Sequence, residues 1–317
     1  MWFLRLSKIF GLFPIRTLKN GSLEFAPLSF TTLLAVACPL AYTAFTMCTL
    51  NSVLVHHRLS YVLTFLPPSF ISLMSDYVIR ICSFYWSKDF IKLVALIGQI
   101  KGEAAGIGKG LRWFCCAVAI LITLISLIRN IGSMIVLFET VGANWYVLIV
   151  WAMWPATCGL LHDGAVACVF CFVVVFGKLV VSCYEGLCKE ILEFCRRGSA
   201  FAVPATLVAK HKTAPWHTQV INGSPDEYVQ KLVDRFVLVK LAFEVYSKIG
   251  GAFIFALVAG AATWLYNDLC TELFNQEIMS PFILAVMALH MVLDMVVLVT
   301  IAELGHHMTK HVRRVNT

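Results

Sequence analysis

Residues 145–181 read WYVLIVWAMWPATCGLLHDGAVACVFCFVVVFGKLVV. Nearly every side chain is apolar, with no alternation of the kind that marks a half-buried strand. A helix needs about 20 such residues to cross a hydrocarbon layer of roughly 30 Å. This run is longer, so it is expected either to continue as a helix beyond the bilayer or to cross it steeply tilted. His162 and Asp163 interrupt it and, with Gly164, are expected to line a cavity or mark a bend. Cys168 and Cys171 form a C-x-x-C, but in this setting thiols act as small hydrophobes rather than as redox or metal groups.

The same composition extends along the chain. Of 317 residues, 60% are hydrophobic and 14% charged, which excludes an ordinary soluble domain. The short alternating segments of a membrane β-barrel do not occur. The expected class is all-α: a polytopic helical membrane protein with six spans, Phe30–Leu54, Tyr61–Trp86, Trp113–Phe138, Trp145–Val181, Ile249–Tyr266 and Pro281–Ala302. The N-terminal stretch is basic and broken by Pro14, so it does not read as a cleavable signal peptide.

Lysine and arginine set the expected orientation. They cluster before the first span, between the second and third, between the fourth and fifth, and after the sixth. The other three connections hold one, Arg58, and are otherwise acidic through Glu139, Asp268, Glu272 and Glu277. Both ends of the 317-residue chain are therefore expected in the cytoplasm. Residues 1–29 form a cytoplasmic segment, 30–302 the bundle with cytoplasmic helical extensions over about 182–248, and 303–317 a tail. The net charge of +7 arises from this asymmetry and does not mark a nucleic-acid surface.

In DEYVQKLVDRFVLVKLAFEVYSKIGG (226–251), Leu232, Phe236, Val239 and Phe243 share a helical face, and Lys240, Glu244 and Lys248 form an i, i+4 ladder. This extension is expected either to pack against the end of the fourth span, YEGLCKEILEFCRRGSA, or to lie with it flat on the lipid surface as a pair of interfacial helices. Residues 198–227 between them read as a loop. Asp76 and Arg80 are spaced to neutralise each other on one helix. The ending GHHMTKHVRRVNT is expected to be a juxtamembrane foot, since ELGHH is not a zinc-protease motif. No catalytic triad, paired carboxylates or phosphate loop can be argued from the spacing, so neither an enzyme nor a cofactor is expected.

Three stretches carry a resemblance: IFGLFPI (9–15), SLEFAPLSFTTLLAVACPLAYTAF (22–45) and LVKLAFEVYSKIGGAFIFALVAGAATWLYNDL (238–269). They resemble the insect-type gustatory and odorant receptors, seven-span chemoreceptors with a cytoplasmic N-terminus. The resemblance implies a subunit of a ligand-gated cation channel in the plasma membrane. It would respond to a small-molecule tastant, contact membrane lipids and assemble as a homo- or hetero-oligomer, a tetramer when complete. The alternative is a non-channel accessory, regulatory or transporter-like protein of the same fold. The resemblance places a ligand pocket among the outer halves of the second to sixth helices, with Tyr61, Phe65, Arg129, Asn130, Ser133, Trp151, Trp154, Trp264, Tyr266 and His290 as candidate contacts. The aromatic members also fit an interfacial belt. The family's seventh helix lines the pore and bears a threonine–tyrosine signature. No Thr-Tyr pair follows the sixth span here, so the chain expressed alone is expected to insert without conducting.

Overall fold

The structure, a computed structural model, describes residues 2–19, 22–56, 59–101, 109–141, 145–200, 225–275 and 281–316. Its elements in order are α1 (Trp2–Ile9), β1 (Ile15–Thr17), β2 (Leu23–Phe25), α2 (Phe30–His56), α3 (Leu59–Tyr85), α4 (Ser87–Lys101), α5 (Lys109–Val141), α6 (Trp145–Ala200), α7 (Pro225–Asn275) and α8 (Pro281–Asn316). Each expected span falls on one of the long helices, though Trp86 lies one residue past α3. Among the described residues, three helices are long and apolar enough to cross a membrane, over Leu160–Arg196, Glu227–Tyr266 and Leu284–Lys310.

α6 is the centre of the bundle. Of its most apolar window 78% is buried, against 28% for that of α8, which lies at the periphery. A helix that is apolar on every side must be covered on every side, by protein or by lipid. α5, α7 and α8 pack along α6, and α3 and α4 pack on α7. The outer surface carries many exposed apolar side chains, including Trp113, Ile120, Phe255 and Val292. An apolar exterior of this extent suits hydrocarbon rather than water.

Several features differ from the sequence expectation. The second connection is largely a helix, α4, whose buried Phe90, Leu93, Leu96, Ile97 and Ile100 recur at helical spacing. The residues of the expected tail are helical as far as Asn316, continuing α8. Asp268, expected in an outer connection, lies inside α7 and is buried. The Lys240–Glu244–Lys248 ladder is also redirected: Lys248 Nζ reaches Asp89 of α4 at 2.6 Å. The extensions of α6 and α7 do pack together, with Tyr184 edge-on to Phe243, Phe194 stacked on Tyr228, and Arg235 paired with Glu190. The expected loop at 198–227 lies mostly outside the described residues, and its two ends belong to α6 and α7.

The N-terminal segment departs furthest from a simple basic leader. α1 ends in a paired turn: Leu12 N–H donates to Ser7 C=O at 2.7 Å, and Gly11 N–H to Lys8 C=O at 3.3 Å. This 6→1 plus inner-bond pattern requires a left-handed residue just past the helix, and Gly11 supplies it at φ +73°. Phe13 is also left-handed at φ +48°, a conformation disfavoured for any residue with a Cβ. Ile15 N–H then closes a three-residue turn onto Phe13 C=O. The chain runs on into an antiparallel hairpin pairing Ile15 with Phe25 and Thr17 with Leu23, a small β element in an otherwise helical protein.

These turns drive residues 11–15 into the bundle, where all five are buried. The Phe13 ring sits 4.6 Å from Phe90 of α4, 5.8 Å from Phe172 of α6 and 5.9 Å from Phe253 of α7, centroid to centroid. Phe176 and Tyr246 extend this aromatic cluster, and the Tyr246 hydroxyl donates to Val173 C=O at 2.9 Å. The wedge is thus held by aromatic contacts from three helices at once.

Candidate functional site

Polar side chains buried within the apolar bundle gather around one cavity of about 50 Å³. That is room for a few water molecules, with the roughly 10–15 Å³ each needs on this measure. Ser75 of α3 and Ile122 of α5 contribute to its wall. α6 adds His162, Asp163, Val166 and Phe170, α7 adds residues from Ala256 to Trp264, and α8 adds His290, Leu293, Asp294 and Val297. The space exists because α7 turns small residues, Ala256, Gly260 and Ala261, toward its neighbours. Small side chains let helices approach closely and leave room where the facing side chains are short.

Two histidines anchor the polar lining, each between two carboxylates. His162 Nδ1 lies 3.0 Å from Asp76 Oδ1, and its Nε2 lies 3.9 Å from Asp163 Oδ1. His290 Nδ1 lies 2.7 Å from Asp268 Oδ2 and 3.8 Å from Asp294 Oδ2. Trp264 stands edge-on to the His290 ring at 5.9 Å. A carboxylate bonded to one ring nitrogen fixes both tautomer and ring orientation. Each pair therefore presents a set geometry to the cavity.

Behind His162 lies the expected intrahelical pair. Arg80 Nε donates to both Asp76 carboxylate oxygens, at 3.0 and 3.1 Å. Its other nitrogens donate to Phe10 C=O at 2.9 Å and, more weakly, to Leu161 C=O at 3.4 Å. Arg80 and Asp76 are 2% and 1% exposed, and a buried guanidinium is tolerable only when its donors and its charge are both met. Asp76 and Arg80 are thus part of a longer network reaching the cavity wall.

Of the candidate contacts, the structure brings Trp264 and His290 to the cavity. The Tyr266 side chain is half exposed and is not part of its lining, because two residues further along α7 is a 200° rotation to the opposite face. Tyr61 and Phe65 fall on α3, Arg129, Asn130 and Ser133 on α5, and Trp151 and Trp154 on α6. The side chains of these seven lie outside what the structure describes. His162 and Asp163 line the cavity without a break in α6, which is helical throughout. Gly164 serves another purpose: a Cβ there would come within 2.0 Å of the Phe10 ring, so glycine admits the N-terminal wedge.

Sequence reasoning missed Asp268 and Ser75. A readable signal existed for Asp268, since an apolar helical pattern continues past it through Leu269 and Leu273. For Ser75 none did. The C-x-x-C thiols sit in the packed core, with Cys171 Sγ donating to Cys115 C=O at 3.5 Å. At the other end of the molecule, His307 Nε2 lies 3.6 Å from Glu303 Oε1, one turn back along α8. Searches of the sequence against protein-family models and against curated proteins gave no match.

Proposed function

We propose that this chain is a chemosensory receptor subunit of the gustatory type, which binds a small organic ligand in the cavity bounded by α3, α5, α6, α7 and α8. The observation that carries the reading is the cavity: apolar and aromatic walls converge with two oriented acid–histidine pairs inside a bundle with membrane-length helices. Apolar enclosure with a few fixed polar groups suits recognition of a small organic molecule, and because the space as it stands holds only a few waters, binding would have to part the helices around it. Binding would shift the packing of α6, α7 and α8, and in the full assembly that shift would open a cation path. The resemblance in sequence stretches 9–15, 22–45 and 238–269 supports the channel part of the proposal, together with the plasma membrane as its location and a homo- or hetero-oligomer as its form.

The test is ligand binding by the purified chain, which needs no pore. A panel of sugars, polyols, alkaloids and amines is screened for a rise in unfolding temperature in detergent. At least one class is expected to raise it, and both Trp264→Ala and His290→Ala are expected to abolish that rise, while Arg16→Ala on the exposed hairpin preserves it. A panel with no binder, or binding that survives both substitutions, refutes the site. Ligand-evoked cation current in cells that co-express the chain with a related seven-span receptor then tests the channel role.

A second reading has one observation in its favour. Buried histidines held between carboxylates are also the relay groups of transporters that move protons with their substrate. Ligand uptake accompanied by proton movement, with no ligand-evoked conductance, would decide for that reading.

A further inference from the structure

We infer that the N-terminal turn, residues 10–15, is a coupling element: through Arg80 it positions the Asp76–His162 pair at the cavity, so that a rearrangement at His162 is transmitted to the N-terminal segment. The turn makes two separate contacts with the residues behind this wall. Phe10 C=O accepts from Arg80 Nη1, and Arg80 in turn fixes Asp76, which fixes His162. Independently, the Phe10 ring covers Gly164, the residue after Asp163, so closely that no side chain would fit between them. One residue thus reaches toward His162 by two routes, its backbone bonded to Arg80, which holds Asp76, and its ring packed on Gly164, two residues along α6.

The turn is also held by its surroundings rather than by its own backbone preference. Its shape depends on a left-handed Phe13, which the surrounding rings of Phe90, Phe172 and Phe253 hold in place. A backbone conformation that persists only while its neighbours enforce it is the kind that relaxes when one neighbour moves. On the other side of the turn, Ile15 leads directly into the hairpin, whose Phe25 packs edge-on to Phe84 of α3 and lies under the Lys88 ammonium at 5.7 Å. A change at His162 therefore has a continuous path of packed and hydrogen-bonded groups to the outermost elements of this end of the molecule. Coupling is reciprocal, so the wedge in turn biases the shape of the cavity. The path is a property of the fold, and its test uses no ligand. Failure of the coupling and failure of the ligand site are therefore separate results.

Hydrogen–deuterium exchange of the full chain in lipid nanodiscs reads the coupling. His162→Gln, which removes the ring that Asp76 holds, is expected to speed exchange at Gly11, Leu12 and Phe13 by about tenfold, equivalent to about 1.4 kcal/mol of local opening. Asp76→Asn, which frees Arg80, is expected to do the same. Asp294→Asn on the α8 wall, outside the path to Arg80, is expected to leave these amides unchanged, as is Glu190→Gln in the extension. Wild-type exchange at residues 11–13 in both His162→Gln and Asp76→Asn would overturn the inference. So would an equal rise in Asp294→Asn, or a rise spread evenly over α8, since either would mean general loosening rather than a directed path.

Discussion

Replacing Phe13 by alanine and by glycine separates two things the structure says of this residue: that its ring is fully buried and that its backbone is left-handed. With the N-terminal segment on the aqueous side, as the charge pattern predicts, a released wedge exposes its side chains to water and the ordinary scale of apolar burial applies. Losing a fully packed phenylalanine ring costs roughly 3–5 kcal/mol, because the space between Phe90, Phe172 and Phe253 cannot close completely. Alanine keeps the steric penalty of positive φ, about 1–2 kcal/mol, and glycine removes it. Glycine also gives the unfolded chain more freedom, which takes back about 0.5–1 kcal/mol. The net expectation is that Phe13→Ala loses about 3–5 kcal/mol and Phe13→Gly about 0–1.5 kcal/mol less. Equilibrium unfolding in mixed detergent micelles, followed by helical circular dichroism, measures both. A glycine variant clearly less stable than the alanine variant refutes the left-handed backbone. Two variants within about 1 kcal/mol of the parent refute the insertion of the ring.

At the neighbouring contact, Gly164→Ala should destabilise by roughly 1–3 kcal/mol through overpacking against the Phe10 ring, and adding Phe10→Ala should recover most of that loss in a double-mutant cycle. Tyr246→Phe should cost about 0.5–1.5 kcal/mol in the same assay, since it deletes the hydroxyl that donates to Val173 C=O and leaves the ring stacked on Phe172. The expected orientation puts both acceptor sequons, Asn20-Gly-Ser and Asn222-Gly-Ser, on the cytoplasmic side, so neither should carry glycan. Glycosidase-sensitive mass on either asparagine would reverse the topology.

The sequence by itself determined the features that depend on neighbours along the chain. Helix positions followed from the length of apolar runs, because a backbone in an apolar medium must satisfy its own hydrogen bonds. The Asp76–Arg80 pair followed from a spacing of four, and the contact of the two extensions from an amphipathic stripe that had to be covered. α4 was legible in principle, through Phe90, Leu93, Ile97 and Ile100 at helical intervals, but its charged residues disguised it as a connection. Tertiary structure alone decided the rest. His290 pairs with Asp268 across two helices, 22 residues apart in sequence, and His162 with Asp76 across 86. Linear spacing carries no record of which faces of two helices meet. The N-terminal wedge is the clearest case. A left-handed phenylalanine is unfavourable as a local choice, and what holds it is a set of rings from α4, α6 and α7 that only the assembled bundle brings to one place.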